Sequence, residues 1–499
     1  MAKKRHLLYQ LPIDIILCMR PKTPAQYKIP YEISPKPLDG DITGKGGMPI
    51  ISQAFRGMKL PGACDANLMN LRKIEAGYTP GQIVETMIIG IMLGADCVED
   101  LDNLRDDPVS EKILGYSPAS SRTVRDWLDK HHDGKAIEEL NEKSQQLELK
   151  AIIPPPTESL ARFSGVLGVS AREAAKRLPS GTPTVATIDL DATIVESDKR
   201  SAKMTYEGYK GYQPMVAAWA ESNTILAIEF RDGNVPAMMN PLTCTRKAFS
   251  ELPKDVVSFA FRGDSACDNN ELLEWLDDEN RSDGPKAKIE YAVSARMVEG
   301  LSNAAKAVPE DEWKNFGKEA DGTLKQWCDL DYVPSMPTEK KETLPRRYIG
   351  MRFLKAQGEL FADGHDRKHF AIITNRAESG EKVIEWHREK AGTIEHVHNE
   401  MKNHLAAGRL PSQKFGANTA WFIANAIAYN IFSALRSAEE DADSRIARIK
   451  RIRFSLFTSS ARLTRFSRKI TLRFSGRESW IKRVMKLLKA FPVRVQPTG

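Results

Sequence analysis

VATIDLDATIV, residues 185–195, is an apolar, β-branched run that ends among carboxylates, the pattern of a buried strand. Asp189 and Asp191 lie two apart, so both project from one face of that strand. The surrounding sequence supplies its neighbours. GYQPMVAAWA (211–220) and TILAIEFRDG (224–233) are separated only by ESN, a hairpin-like spacing. DVVSFAFRGDS (255–265) is a fourth strand whose end is Asp264, and KIEYAVSA (288–295) is a fifth. Between these two, DNNELLEWLDDEN (268–280) has the spacing of a helix, with Asp268 as its expected cap. Strands interleaved with a helix describe a mixed α/β layer.

Composition bounds the rest. The chain has 499 residues, 41% apolar and 28% charged, enough length for several domains with ordinary cores. Its six cysteines, at 18, 64, 97, 244, 267 and 328, contain no CxxC pair, which argues against a disulfide framework or a thiolate zinc cluster. The start shows no clear signal-peptide cleavage site, and no run reaches the roughly 18 apolar residues of a membrane span, so a cytoplasmic protein is expected. The net charge of +7 is uneven. Residues 445–499 hold 16 Lys and Arg against one acid, Glu478, an excess of 15 that leaves the first 444 residues net negative by 8.

Shifts in composition divide the chain. Residues 1–60 form a Pro- and Gly-rich arm, and 61–155 a helical region in which SSRTVRDWL (120–128) suggests a DNA-contacting module presenting Arg122 and Arg125, with Ser121 as the helix cap. The α/β core occupies 181–297. Residues 298–375 break its rhythm and are expected to be a β-containing insertion, and 376–440 return to helix. Residues 441–499 are a basic tail, suited to holding phosphate; within it WIKRVMKLLKAF (480–491) also has the look of a membrane-surface helix. Trp327, Tyr332 and Tyr348 of the insertion are expected either to pack in a core or to stack on a flipped base.

Three elements bear on chemistry. Asp189, Asp191 and Asp264 gather carboxylates at strand ends, where mutual repulsion and desolvation call for a cation. A hard divalent ion, Mg²⁺ or Mn²⁺, prefers such oxygen ligands and phosphate. On the helix that follows, Arg388, Glu395 and Lys402 are spaced by sevens, a step that drifts only about 20° per repeat, so one face offers a carboxylate between cations. His398 and Arg262, the latter beside Asp264 in FRGDS, are further candidates for phosphate contact. Two chemistries fit these residues. In metal-dependent phosphoryl transfer, Asp191, Asp264 and Glu395 are catalytic and hold the metal, with Asp189 as an additional ligand. In a phosphatase of the haloacid-dehalogenase type, IDLDATI would supply Asp189 as nucleophile and GDSACD (263–268) the later acidic motif. A DNA-binding protein without catalysis is the third reading.

At VEDLDNLRDDP (98–108), SSRTVRDWL, IDLDAT, GYKGYQPMVA (208–217), FRGDS, and above all REKAGTIEHVHNEMKN (388–403) with FGANTAWFIANAIAYN (415–430), the chain resembles the IS1380 family of DDE transposases, enzymes of bacterial insertion sequences. The resemblance runs from about residue 61 to 438 and stops short of the basic tail. It implies a ribonuclease-H-like mixed sheet, a β insertion before the third acid, and a triad on Asp191, Asp264 and Glu395. It also implies cleavage and strand transfer at terminal inverted repeats and target DNA, by a homodimer on paired ends. The related Tyr-x2-Arg-x3-Glu-x6-Lys signature is matched at Glu395 and Lys402 but has Arg388 and Ala391 at its first two positions.

Overall fold

The computed structural model describes residues 31–36, 38–71, 77–334, 346–356, 359–466 and 469–494. Residues 1–40 and 41–499 are separate units, and the described part of the first holds no helix or strand. In the second, nine strands form one sheet: β1 (Val185–Ala192), β2 (Met215–Trp219), β3 (Thr224–Glu229), β4 (Ser258–Gly263), β5 (Ile289–Ser294), β6 (Lys314–Lys318), β7 (Leu324–Leu330), β8 (Arg347–Leu354) and β9 (Arg367–Thr374). Their order is β6-β7-β8-β9-β5-β4-β1-β2-β3. β4 runs parallel to both β1 and β5, and every other neighbouring pair is antiparallel. The segment β3-β2-β1-β4-β5 is an open ribonuclease-H-like core. The insertion does not form a separate body: β9 pairs with β5 through Ile372–Ser294, Ile373–Val293 and Thr374–Ala292, so β6–β9 continue the same sheet. Trp327 and Tyr348 are buried in it, which gives them packing work rather than a base-stacking surface.

The helices that matter for the site are α1 (Pro80–Leu93), α2 (Glu158–Ala175), α3 (Gly380–Arg388), α4 (Lys390–Asn403) and α5 (Phe415–Ser437). Alternation along β1 sends Ile188 and Leu190 into a core on one face of the sheet, while Asp189 and Asp191 point to the other, where α4 lies. α5 is buried almost all round and covers the edge strand β3. Asn430 acts there like a strand residue: its amide donates to Ile225 O at 2.9 Å and its Oδ1 accepts from Ile225 N at 2.8 Å. α1 begins at a capping box, Thr79 with Gln82, and packs on α5. No described helix is long and apolar enough to cross a membrane.

Two expected caps move by one residue. Asn269, not Asp268, caps Asn270–Asp277, and Asp268 instead accepts from Arg296 N. Ser120, not Ser121, caps the helix Ser121–Asp129, while Ser121 is held by Asp102 of the VEDLDNLRDDP segment.

The basic tail is built into the body. Ile449, Ile452, Leu456, Phe457, Val484, Leu487 and Phe491 are buried in the core formed by the N-terminal helices and α5. The apolar stripe of 480–491 is therefore occupied by protein, and the membrane-surface expectation fails for want of a free apolar face. One buried cluster joins this region to the helices beside the sheet. Glu400 of α4, fully buried, takes two bonds from Arg436 of α5 at 2.6 and 2.7 Å, and one from Ile449 N at 3.0 Å. Burial opposes its charge, but His396 and Arg436 prevail and hold its carboxyl down at about 2.

Arg436→Met strands that carboxylate, and a loss of about 3–5 kcal/mol is expected, read as a lower urea midpoint. Glu400→Met/Arg436→Met together should recover most of the loss. An unchanged midpoint in the single variant would contradict this role.

Candidate active site

The parallel pairing of β1 with β4 puts Asp189 opposite Arg262 and Leu190 opposite Gly263, so the next residues, Asp191 and Asp264, leave adjacent strands side by side. Both stand at the carboxyl ends of parallel strands, where open α/β sheets present their sites.

Asp189 and Asp191 share a face but not a fate. Asp189 is 0% exposed and Arg262 only 2%. Arg262 grips it with Nε and Nη2 at 2.7 and 3.0 Å, and Thr393 of α4 donates to the same carboxylate. Arg262 also donates from Nη1 to Trp386 O and Glu389 and lies over the Trp386 ring. Enclosed in this way, Asp189 and Arg262 face one another rather than the cleft, and the geometry lends no support to Asp189 as a metal ligand or phosphatase nucleophile or to Arg262 as a phosphate contact.

Asp191 opens instead onto a cleft of about 660 Å³, shared with Asp264, Ser265, Arg296 and, on its rim, Met204, Tyr206 and Met238. Burial, then the neighbouring Asp191 charge, raises the Asp264 carboxyl above its usual range. The nearest cation is Lys390, at the first turn of α4, with Nζ 3.4 Å from Asp191 Oδ2. Burial works against its charge, yet Asp191 and Asp264 outweigh burial and raise its pKa. His398 Nε2 stands 3.9 Å from the same oxygen with no hydrogen-bond partner. Burial, with Lys402 and Lys390 nearby, lowers its pKa to about 3 and keeps the imidazole neutral. Lys402 donates to Ile194 O at 3.3 Å, just past the end of β1.

The three acids do not all converge. Glu395 is exposed on α4, one turn from His398 and two from Lys402. Among the described residues no three His, Cys, Asp or Glu side chains meet at one point. The pair Asp191–Asp264 still suits a hard cation, since the Asp191 charge adds to burial in raising Asp264, and Lys390 is already drawn to Asp191.

The spacing by sevens holds only in part. Glu389 breaks the helix between α3 and α4, and Arg388 turns towards the insertion, over Phe316 and Phe353. It does not meet the carboxylates. Arg125 is engaged by Glu99, whereas Arg122 remains exposed on the same helix. Sequence reasoning missed Lys390 and His387, whose Nε2 meets Gly263 O at 3.0 Å beside Asp264. The signal for Lys390 is a step of four through Ile394 and His398 to Lys402, which the spacing by sevens obscures.

A raised Asp264 means that its contribution to folding is present below the ordinary carboxylate pKa, about 4, and is lost as pH rises through the higher folded value. Asp264→Asn should therefore melt later than the wild type at pH 7, by about 0.5–2 kcal/mol, with the gain vanishing below about pH 4. Asp189→Asn should melt earlier at pH 7, because it breaks the buried pair with Arg262. Equal melting of all three proteins at pH 7 would contradict the contrast between the two acids.

Known proteins were compared with the chain. A model of the transposase DDE domain group 1 family matches residues 37–493, nearly the whole chain and including most of the basic tail. Among solved structures, the fold is similar to a piggyBac transposase in a synaptic complex with hairpin DNA, at a TM-score of 0.41 and 10% identity over 81% of this chain and 80% of that one. No curated protein sequence matches. The extent of the family match places the chain in the transposase DDE domain group 1 family, as the IS1380 resemblance implied, and makes it a DNA transposase of polynucleotidyl-transferase type.

Proposed function

We propose that the chain cuts DNA at the terminal inverted repeats of an insertion sequence and joins the freed 3′ end to target DNA, acting as a homodimer on paired ends. The observation that supports this best is the pairing of Asp191 with Asp264 at adjacent strand ends, open to a cleft and short of positive charge. Asp191 and Asp264 would hold Mg²⁺ or Mn²⁺, with Glu395 as the third acid. Bound there, such an ion lowers the pKa of the attacking hydroxyl or water and stabilises the leaving oxygen.

The chain's own residues do the rest. Arg262 and Thr393 fix Asp189, and through it β1, so that Asp191 is held at the cleft. Lys390 offsets part of the charge of the acidic pair and stands where a phosphate oxygen could meet it. His398, neutral and with Nε2 unpartnered, can donate to a phosphate from the same side. Glu395 reaches the site by a side-chain rotation or a small shift of the first turns of α4, close to the break at Glu389. Arg122 offers a contact to DNA from the N-terminal helices.

The deciding assay is divalent-metal-dependent cleavage of a duplex bearing an insertion-sequence end. Asp191→Ala, Asp264→Ala and Glu395→Ala should each lose about 10²-fold or more in rate, as expected when a metal-mediated stabilisation of several kcal/mol is removed. Full cleavage by Glu395→Ala would remove it from the triad, and Glu400→Ala cannot replace it as a test because Glu400 is structural.

A further inference from the structure

The C-terminal strands Ala461–Phe466 (β10) and Lys469–Phe474 (β11) form an antiparallel ribbon, joined on one side to the short strand Ile42–Thr43. Alternation divides it into two faces. Ala461 and Leu463 turn inwards, and Phe474 packs on the core and against Trp480. The opposite face presents Arg462, Thr464 and Phe466 from β10 and Thr471 and Arg473 from β11. Arg462 and Arg473 are exposed and pair directly across the strands, and Phe466 is 87% exposed.

This arrangement is costly without a partner. Like charges directly opposite one another on a ribbon destabilise it, and among the described residues neither guanidinium has an acidic partner or a hydrogen bond. Elsewhere in the tail Arg483 pairs with Glu439, Lys486 with Glu440, Lys482 with Glu478 of its own helix, and Arg453 donates to the backbone oxygens of Met92 and His404. What sets the ribbon face apart is that Arg462 and Arg473 stand directly opposite one another on it, beside the exposed Phe466.

We propose that the outer face of this ribbon is a docking surface for duplex DNA, with Arg462 and Arg473 on phosphates, Thr464 and Thr471 as lesser hydrogen-bonding groups, and Phe466 against sugar or base edges. The inference rests on the transposase reading and adds the surface that grips the duplex away from the carboxylates. Charge complementarity selects a polyanion. A two-stranded ribbon fits the major groove, about 12 Å wide. An anionic membrane surface is the rival partner, but it rewards a broad apolar face, and here Phe466 is the one large apolar side chain described on the outer face.

The full-length protein serves for the test, as wild type and as Arg462→Gln/Arg473→Gln. Affinity for a random-sequence 30-base-pair duplex is followed by fluorescence anisotropy across a salt series, and binding to phosphatidylserine vesicles by sedimentation. Both substitutions are exposed, and equal melting of the two proteins confirms folding. The expected result is weaker binding of the variant on every duplex. The slope of log K against log salt should fall by about 1.8, or 0.9 for each phosphate that is no longer neutralised. A variant that keeps wild-type affinity and slope overturns the ribbon while leaving the transposase reading intact. Loss of vesicle binding with unchanged duplex binding also overturns it, in favour of lipid. A wild type with no affinity for any duplex sinks both readings together.

Discussion

The buried pair of Asp189 and Arg262 is the constraint on which the catalytic half depends. Each lies where its charge has no access to water, so neither can stay without the other. They face one another across β1 and β4, and that fixes the parallel register of the two strands. A slip of either strand by one residue would turn its charge to the opposite, apolar face among Ile188, Leu190 and Phe261 and leave the partner charge buried alone. The same guanidinium reaches Trp386 O at the end of α3, and the same carboxylate takes a bond from Thr393 of α4. One ion pair thus positions two strands and two helices. Such a pair adds less net stability than well-packed apolar residues would, but it specifies one arrangement strongly.

Once the register is fixed, Asp191 and Asp264 have to be neighbours, and that proximity is unfavourable. Burial first, and then the Asp191 charge, raise the Asp264 carboxyl above its usual range. Lys390 offsets part of the repulsion from the first turn of α4, where a lysine gains nothing from the helix dipole and loses solvation by burial. One lysine thus faces two carboxylates, and its charge offsets only part of theirs. Fold and site make opposite demands two residues apart on one strand: Asp189 is satisfied completely so that Asp191 can remain unsatisfied.

Much of this was legible in the chain. The strand at 185–195, the hairpin after it, and the strand ending at Asp264 all appear, because apolar runs bounded by turn residues report burial directly. Parity put Asp189 and Asp191 on one face correctly. Parity could not say which of them would be enclosed, since that depends on Arg262, 73 residues away and recognisable only once β1 and β4 are paired. The face drawn through Arg388, Glu395 and Lys402 assumed an unbroken helix, and the break at Glu389 carries no Gly or Pro to announce it. Glu395 and Glu400 look alike in EHVHNEMKN, and only the bidentate contact with Arg436 separates a structural carboxylate from an exposed one. Charge marked the tail as distinct because Lys and Arg are conspicuous. The buried apolar residues that anchor it, from Ile449 to Phe491, are dispersed over more than forty positions and form no long run.

The cluster around Glu400 joins these two halves in a physical sense. Lys390, Glu395 and His398 belong to the same helix as Glu400, and Glu400 is bonded to Arg436 of α5 and to the backbone of Ile449, where the basic segment begins. From Ile449 the chain passes through the buried Ile452, Leu456 and Phe457 directly into the ribbon that starts at Ala461. A basic segment appended by a loose linker could hold DNA only in the neighbourhood of the carboxylates. Here Ile449, Ile452, Leu456, Phe457 and Ala461 anchor the path by burial, and burial leaves side chains one packing arrangement rather than many. The ribbon therefore stands at a fixed offset from α4. A duplex gripped there, as proposed, would reach the cleft of Asp191 and Asp264 in a defined orientation, which is what strand cleavage at one particular phosphate requires.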